Sequence, residues 1–248
     1  MRGTFGASGD IIIYPRFLPV GDSALSVELG DVIDAGINAL VRALDRAIAA
    51  ANIPGIIETV PSFRALMVIY EPEEIDPDTL IADLKRLIAG GLNAHAANAR
   101  SWTVPVAYGV PVDDDLREVA AATGLSCDEV VAMHSGADYQ VYVIGFVPGL
   151  PVLGGLPAPL HLSRRPEHRQ GIPAGSVMIG GMQGLIVPMT MPSGWYTLGQ
   201  TPLRPFNPGE NNPFLFRLGD RIRFRPITAR ELDALAGVSS DVYLDNGT

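Results

Sequence analysis

Cysteine is nearly absent from this chain. Cys127 is the only one, which excludes an internal disulfide framework and a cysteine-rich zinc site. It lies in GLSCDEVV, where it reads as a small residue at a helix start. No apolar run approaches the ~18 residues of a membrane-spanning helix. The opening MRGTFGASGDIII has no basic stretch followed by a long apolar one, so no signal peptide is expected. Together these absences point to a reducing cytoplasm. A glycine-rich loop ending in Lys-Ser or Lys-Thr is missing, and so is Gly-x-Ser-x-Gly, so neither a P-loop nor a nucleophile elbow is present. The four histidines, His95, His134, His161 and His168, lack metal-ligand spacing, and no metal site is expected in the chain.

Lysine is as scarce as cysteine: Lys85 stands alone. Acids are scarce in one half only. Residues 1–135 carry 19 acids and 9 bases, a balance of −10, whereas residues 139–230 carry 3 acids (Glu167, Glu210, Asp220) and 9 bases, a balance of +6. Every base in the second stretch is arginine, whose planar and permanently charged fork suits carboxylate or phosphate. A net charge of −9 makes nucleic acid a poor partner.

What is present is core material, 47% hydrophobic over 248 residues, enough for one large domain or two small ones. IIIYPRFLPVGDSALSVELG predicts a hairpin around Pro19-Val20-Gly21-Asp22. DAGINALVRALDRAIAA spaces Ile37, Leu40, Val41, Leu44 and Ile48 for a helix capped by Asp34, and DPDTLIADLKRLIAG predicts a second, capped by Asp76 with Pro77 at its first position. IIETVPS and ALMVIYE predict strands between them, and SWTVPVAYG returns to strand. These describe an α+β layer over residues 1–100 with the helices on one face. Asp113-Asp114-Asp115 reads as the acidic start of the helix LREVAAAT rather than a metal cluster, and Ser126 with Glu129 forms a capping box for the next helix. Residues 101–138 are therefore expected to bridge to a second part. From Tyr139 to about Arg230 helical periodicity gives way to short β runs (YQVYVIG, SVMIGG, LIVPM, WYTLGQ, FLFRLGD, RIRFRPI) broken by Gly and Pro, as in a β-barrel or sandwich, with residues 231–248 as a tail.

Two blocks could carry binding chemistry. In LHLSRRPEHRQGIPAGSVMIGGMQG, Arg164, Arg165 and Arg169 precede the small-residue turn Pro173 to Ser176, with Gln183 beyond. Guanidiniums followed by exposed backbone N–H groups make an anion cradle; a basic loop and an ordinary turn fit equally well. In MPSGWYTLGQ, Trp195 and Tyr196 after Ser193-Gly194 offer a flat apolar wall, and a Trp after a turn also fits a core residue. His134 ends a helix, where a cation complements the dipole, or serves the site. Glu167 is the only carboxylate between Tyr139 and Pro208, so this half is equipped to orient an anion and poorly equipped for acid–base work alone. The catalytic residues stay unassigned. VIGFVPGLPVLGGLP predicts a strand running into a rigid loop whose Gly145, Phe146, Pro148, Gly149, Leu150 and Leu153 shape a pocket for a small molecule.

The ordered blocks GFVPGLPVLGGLP, SRRPEHRQGIPAGSVMIGG, PSGW and LGQTPL, with VPVAYG upstream and LGDRIRF downstream, resemble the allophanate hydrolase subunit 1 family, which includes the B-type subunit of 5-oxoprolinase and KipI. The resemblance implies a ferredoxin-like N-terminal subdomain and a cyclophilin-like barrel. It implies pairing with a related subunit 2 (the C-type subunit of 5-oxoprolinase) and a third lactam-acting subunit, and ATP-dependent opening of 5-oxoproline to glutamate, with magnesium accompanying the ATP. The family also allows a regulator that binds a histidine kinase, or a subunit handling allophanate or urea. The positions it carries over are Gly145-Phe146, Pro148-Gly149, Arg164 or Arg165, Arg169, Pro173 to Ser176, Gln183 and Gly194-Trp195. Leu150 and Val152 stand where the family's loop carries aromatics.

Overall fold

Asp76 accepts the backbone N–H groups of Asp78 and Thr79, and Pro77 follows at the first helical position, which sets where one of the helices begins. Local signals of this kind place most elements of the chain. The computed structural model describes residues 4–5, 11–94, 99–110 and 113–245, and the chain divides into two compact units, 1–97 and 98–248.

In the first unit β1 (Thr4–Phe5) and β2 (Ile11–Ile12) form a short antiparallel pair. The main sheet is antiparallel with order β3 (Arg16–Pro19), β4 (Ala24–Glu28), β6 (Ala65–Tyr70), β5 (Ile56–Pro61). Helix α1 (Ala35–Ala51) follows β4 and α2 (Pro77–Ala89) follows β6. Alternate residues Leu25, Val27, Leu66, Val68 and Tyr70 are buried with Val41, Leu44, Ile48, Leu80 and Leu84 of the helices, the period-2 and period-3.6 patterns meeting in one core. Buried Asn38 pins α1 to the β5–β6 turn, donating to the carbonyls of Ser62 and Phe63.

The second unit is a closed seven-stranded barrel: β11 (Ser176–Gly180), β12 (Gln183–Ile186), β9 (Pro151–Gly154), β8 (Tyr139–Ile144), β15 (Arg221–Ile227), β7 (Ser101–Tyr108) and β14 (Tyr196–Gln200). Only β15–β7 is parallel within it. A separate ribbon pairs β10 (Arg169–Ile172) with β13 (Met191–Ser193). Helices α3 (Asp113–Thr123) and α4 (Cys127–Ser135) contribute Leu116, Val119 and Val130 to the barrel core, and α5 (Ala229–Ala234) follows β15.

Two expectations change. Residues 101–138 do not bridge two parts: β7, α3 and α4 belong to the second unit, because Trp102, Val104 and Val106 are core residues of the barrel. FLFRLGD is not a continuous strand: Phe214 makes an isolated bridge to Phe206, the N–H of Arg217 donates to the Asp220 carboxylate, and the N–H of Gly219 donates to the carbonyl of Val141. In the tail Leu244 is bridged to Trp102 and the N–H of Asp245 donates to the carbonyl of Ser101. The alternation in β15 is as expected: Ile222 and Phe224 are buried, Arg221, Arg223 and Arg225 exposed.

Candidate functional site

The arginine run is laid across two turns of the barrel wall by its backbone. Leu162 exchanges hydrogen bonds with Gly181 in the β11–β12 turn, the N–H of Arg165 donates to the carbonyl of Gly194 at 2.7 Å, and Arg169 pairs with Ser193. Trp195 is buried, with its ring against Gly180 and its backbone N–H donating to the Ser193 hydroxyl at 3.2 Å. The Arg164 guanidinium lies 4.9 Å from the centre of that ring, and Arg164 has no carboxylate partner among the described residues. A Cβ at Gly194 would stand 2.6 Å from the His168 ring, so this glycine admits the exposed imidazole beside the Trp195 turn. The indole therefore serves both readings offered for it: it packs in a satellite core and presents a face to a cation.

Arg165 and Arg169 differ from Arg164. Both reach the carboxylate of Asp115 in α3, Arg165 Nη2 at 2.5 Å and Arg169 Nη2 at 2.8 Å from Oδ1. The other oxygen, Oδ2, accepts the backbone N–H of Thr197 at 2.8 Å. Asp115 is fully buried, and removing its charge from water is offset by these three donors. Glu118, one helical turn on, meets Arg165 at 2.6 Å and Arg169 at 3.4 Å. The Arg165 guanidinium also stacks 4.3 Å from the Tyr196 ring. The expected cradle of three free guanidiniums is thus divided into one unpaired arginine on an indole and two arginines tied to α3.

The remaining predicted residues are scattered. Gln183 is buried opposite Gly180, and its amide makes no hydrogen bond to the described residues. Ser176 is buried, and its hydroxyl likewise has no partner among them. Pro173 and Gly175 shape the entry to β11: the N–H of Gly175 donates to Val187 and that of Thr201 to Gly175. The side chains of the 145–150 loop and of β9 point different ways. Phe146 is 89% exposed, Leu150 is buried with Ile172, Met178 and Trp195, and Leu153 is inside the barrel core. Successive side chains leave the barrel wall in different directions, which separates residues close in sequence. Phe146 also takes a left-handed backbone, φ 72°, unusual for an aromatic. Gly149 packs against Phe206, while Gly145 closes the loop by donating to Leu150 and exposed Pro148 lies at its tip.

His134 is a core residue rather than a site residue. It has no exposed surface, stacks on Phe224 at 4.6 Å, and meets the Tyr108 hydroxyl through Nδ1 at 2.7 Å. Burial lowers its pKa from 6.5 to about 3 and pushes the Tyr108 phenol well above its usual value. The imidazole is neutral at pH 7, so it does not supply the charge expected at the end of α4.

A cavity of about 690 Å³ opens elsewhere in the barrel unit, between Arg100, Trp102, Arg204, Asn207, Phe214 and Asp241. None of the sequence-predicted residues lines it. Among the described residues no three His, Cys, Asp or Glu side chains group as metal ligands, and no helix is long and apolar enough to cross a membrane. Sequence reasoning missed Glu118, took Asp115 for a helix start, and offered Tyr196 as an apolar wall rather than as the ring under Arg165. The signal for the acids was present, two carboxylates one helical turn apart ahead of an acid-poor arginine block, but it was absorbed by the simpler account of a helix start.

Residues 15–216 match the family profile of the carboxyltransferase domain, subdomain C and D. The chain is 36% identical to the B-type subunit of 5-oxoprolinase from Bacillus subtilis (strain 168) over 225 residues, 87% of this chain and 94% of that protein. The solved structure of TTHA0988 is 34% identical with a TM-score of 0.72; the alignment covers 82% of this chain and 40% of that one, so this chain spans less than half of the longer protein. The urea amidolyase of K. lactis shares the fold, at 19% identity and a TM-score of 0.74, over 92% of this chain and 16% of that one.

Proposed function

The chain belongs to the carboxyltransferase-domain family of subdomains C and D, and from that premise we propose that it is one subunit of an ATP-dependent cyclic-amide hydrolase that opens 5-oxoproline to glutamate and works only with its related partner subunits. The carrying observation is the near full-length likeness to relatives named as B-type subunits of 5-oxoprolinase; a subunit so named has companions. In this reading the first unit is the ferredoxin-like subdomain and the barrel unit the cyclophilin-like one.

The site's chemistry supports a shared active centre. Arg164 on Trp195 offers a cation beside a flat wall, suited to the planar ring of a lactam. Asp115 and Glu118 are both engaged by arginines, which leaves neither carboxylate free for general acid–base work there. The groups that activate water and receive the phosphoryl group therefore come from the companion subunits. ATP is the energy source; its magnesium, held by phosphate oxygens and water, needs no dedicated cage of side chains in this chain.

The test is reconstitution. The purified chain, with ATP, magnesium and 5-oxoproline, is expected to release neither glutamate nor phosphate above background, and coupled release should appear when the companion subunits are added. Robust turnover by the chain alone would overturn the shared-site reading. Coupled turnover of urea or allophanate in place of 5-oxoproline would replace the substrate.

A further inference from the structure

The two carboxylates that hold Arg165 and Arg169 are not equivalent. Asp115 has no exposed surface, accepts a backbone N–H on one oxygen and both guanidiniums on the other. Its charge has nowhere else to go. Glu118 is 46% exposed, and its ion-pair partners among the described residues are the two guanidiniums, Oε2 to Arg165 at 2.6 Å and Oε1 to Arg169 at 3.4 Å. One carboxylate spanning two arginines, an oxygen to each, is the pose an anionic ligand adopts in such a fork. The charges agree. Two arginines and two acids sum to zero, and if Glu118 swings away the group is left one positive charge in excess, which a monoanion restores. Arg169 is itself 32% exposed on its side chain, so the fork opens to solvent on the Glu118 side.

We propose that Glu118 is an internal stand-in for an anionic ligand group, a carboxylate or a phosphoryl oxygen pair, and that binding displaces it from Arg165 and Arg169 while Asp115 stays to hold both guanidiniums in place. Resting on the lactam-hydrolase reading above, this assigns Arg165 and Arg169 to the anion of a substrate and makes Glu118 the residue that sets its affinity. Displacement is cheap, because Glu118 is the exposed partner and Arg165, only 13% exposed, keeps its ion pair with Asp115 when Glu118 leaves. The inner pair is not exchangeable in this way, since a buried guanidinium stripped of its carboxylate is costly.

The test is a calorimetric titration of the intact chain and of Glu118→Gln with 5-oxoproline and, separately, inorganic phosphate, at low and then high chloride. Glu118→Gln is expected to bind at least one probe about fivefold more tightly than the parent, the gain of removing an exposed competing carboxylate. The preferred probe identifies the source, lactam carboxylate or nucleotide phosphate. Adding Arg169→Gln to Glu118→Gln should abolish the gain, and high chloride should reduce it. Glu118→Ala provides a second uncharged variant, with circular dichroism confirming the fold of each. Unchanged or weaker binding by both folded variants, or no measurable binding of either probe to them, overturns the proposal. The outcome is separable from reconstitution: tighter anion binding by Glu118→Gln without lactam turnover in the complex leaves this proposal standing and removes the hydrolase reading, and the converse result does the reverse.

Discussion

Burial alone sets the protonation of His134, and the consequence is measurable. Its pKa falls from 6.5 to about 3 in the folded chain, the charged imidazolium being disfavoured in an apolar shell of Phe224 and Tyr139. Above pH 6.5 both states are neutral at this position and it exerts no pH dependence. Below it the unfolded chain binds a proton that the folded chain refuses, so stability falls as pH drops from 6.5 toward 3, by up to about 1.4 kcal/mol per unit. Urea titrations at pH 7.5 and 5.0 should show that loss in the parent. His134→Gln keeps an acceptor for the Tyr108 hydroxyl and does not titrate; it should be less stable at pH 7.5 yet show a smaller loss on acidification. Parallel losses in the two proteins would mean that other groups carry the acid sensitivity. The same residue shows why its sequence reading was incomplete. The end of a helix is legible one-dimensionally, but the barrel core that covers it is not.

Among the elements, the turn into β11 and the strand after the arginine run illustrate two kinds of glycine. Gly175 has φ +84°, and a Cβ there would collide with the carbonyl oxygen of Thr201, a backbone atom that cannot rotate aside. Gly171 in β10 has φ +67° and nothing within 4 Å of the Cβ position. Gly171→Ala is therefore expected to cost about 1–2 kcal/mol from backbone conformation alone. Gly175→Ala adds overpacking, for a total of about 2–5 kcal/mol. Chemical denaturation of the pair checks the order; equal losses would show that the strand ends separate without penalty. At this scale much of the site was readable. PAGS was identified as a small-residue turn from composition, and the capping box of Ser126 with Glu129 is present as the spacing requires. The partnership of α3 with the arginine run was not, because Asp115 and Arg165 are 50 residues apart and meet only when the barrel closes.

Across the whole molecule the apolar residues divide into separate cores. Leu25, Leu44 and Leu84 belong to the core of residues 1–97, while Trp102, Val177 and Ile186 belong to that of the barrel unit. Both tryptophans of the chain, Trp102 and Trp195, are in the barrel unit, so indole fluorescence reports on that unit and far-ultraviolet circular dichroism on both. Leu84 is fully buried, and Leu84→Ala should cost about 2–5 kcal/mol. The expected result is an earlier circular-dichroism transition for the first unit with the fluorescence transition unmoved. A matching shift in fluorescence would show that the two units unfold as one.

Local chemistry determined a great deal from the sequence by itself: the capped helices, the hairpin at Gly21, the change from helical to strand texture past residue 139, and the motif order by which the family was recognised. These depend on periodicities and caps that act over a few residues. Only the tertiary structure decided which charges are free. Arg164 has no carboxylate partner among the described residues and lies on an indole, while Arg165, its neighbour, is neutralised by acids from α3. It also decided that β7 completes the barrel beside β15 and that the 145–150 loop sends Phe146 outward and Leu150 inward. The reason is common to all three. Charge pairing, strand pairing and burial depend on what arrives from distant sequence, and closure of a seven-stranded barrel is the event that brings it there.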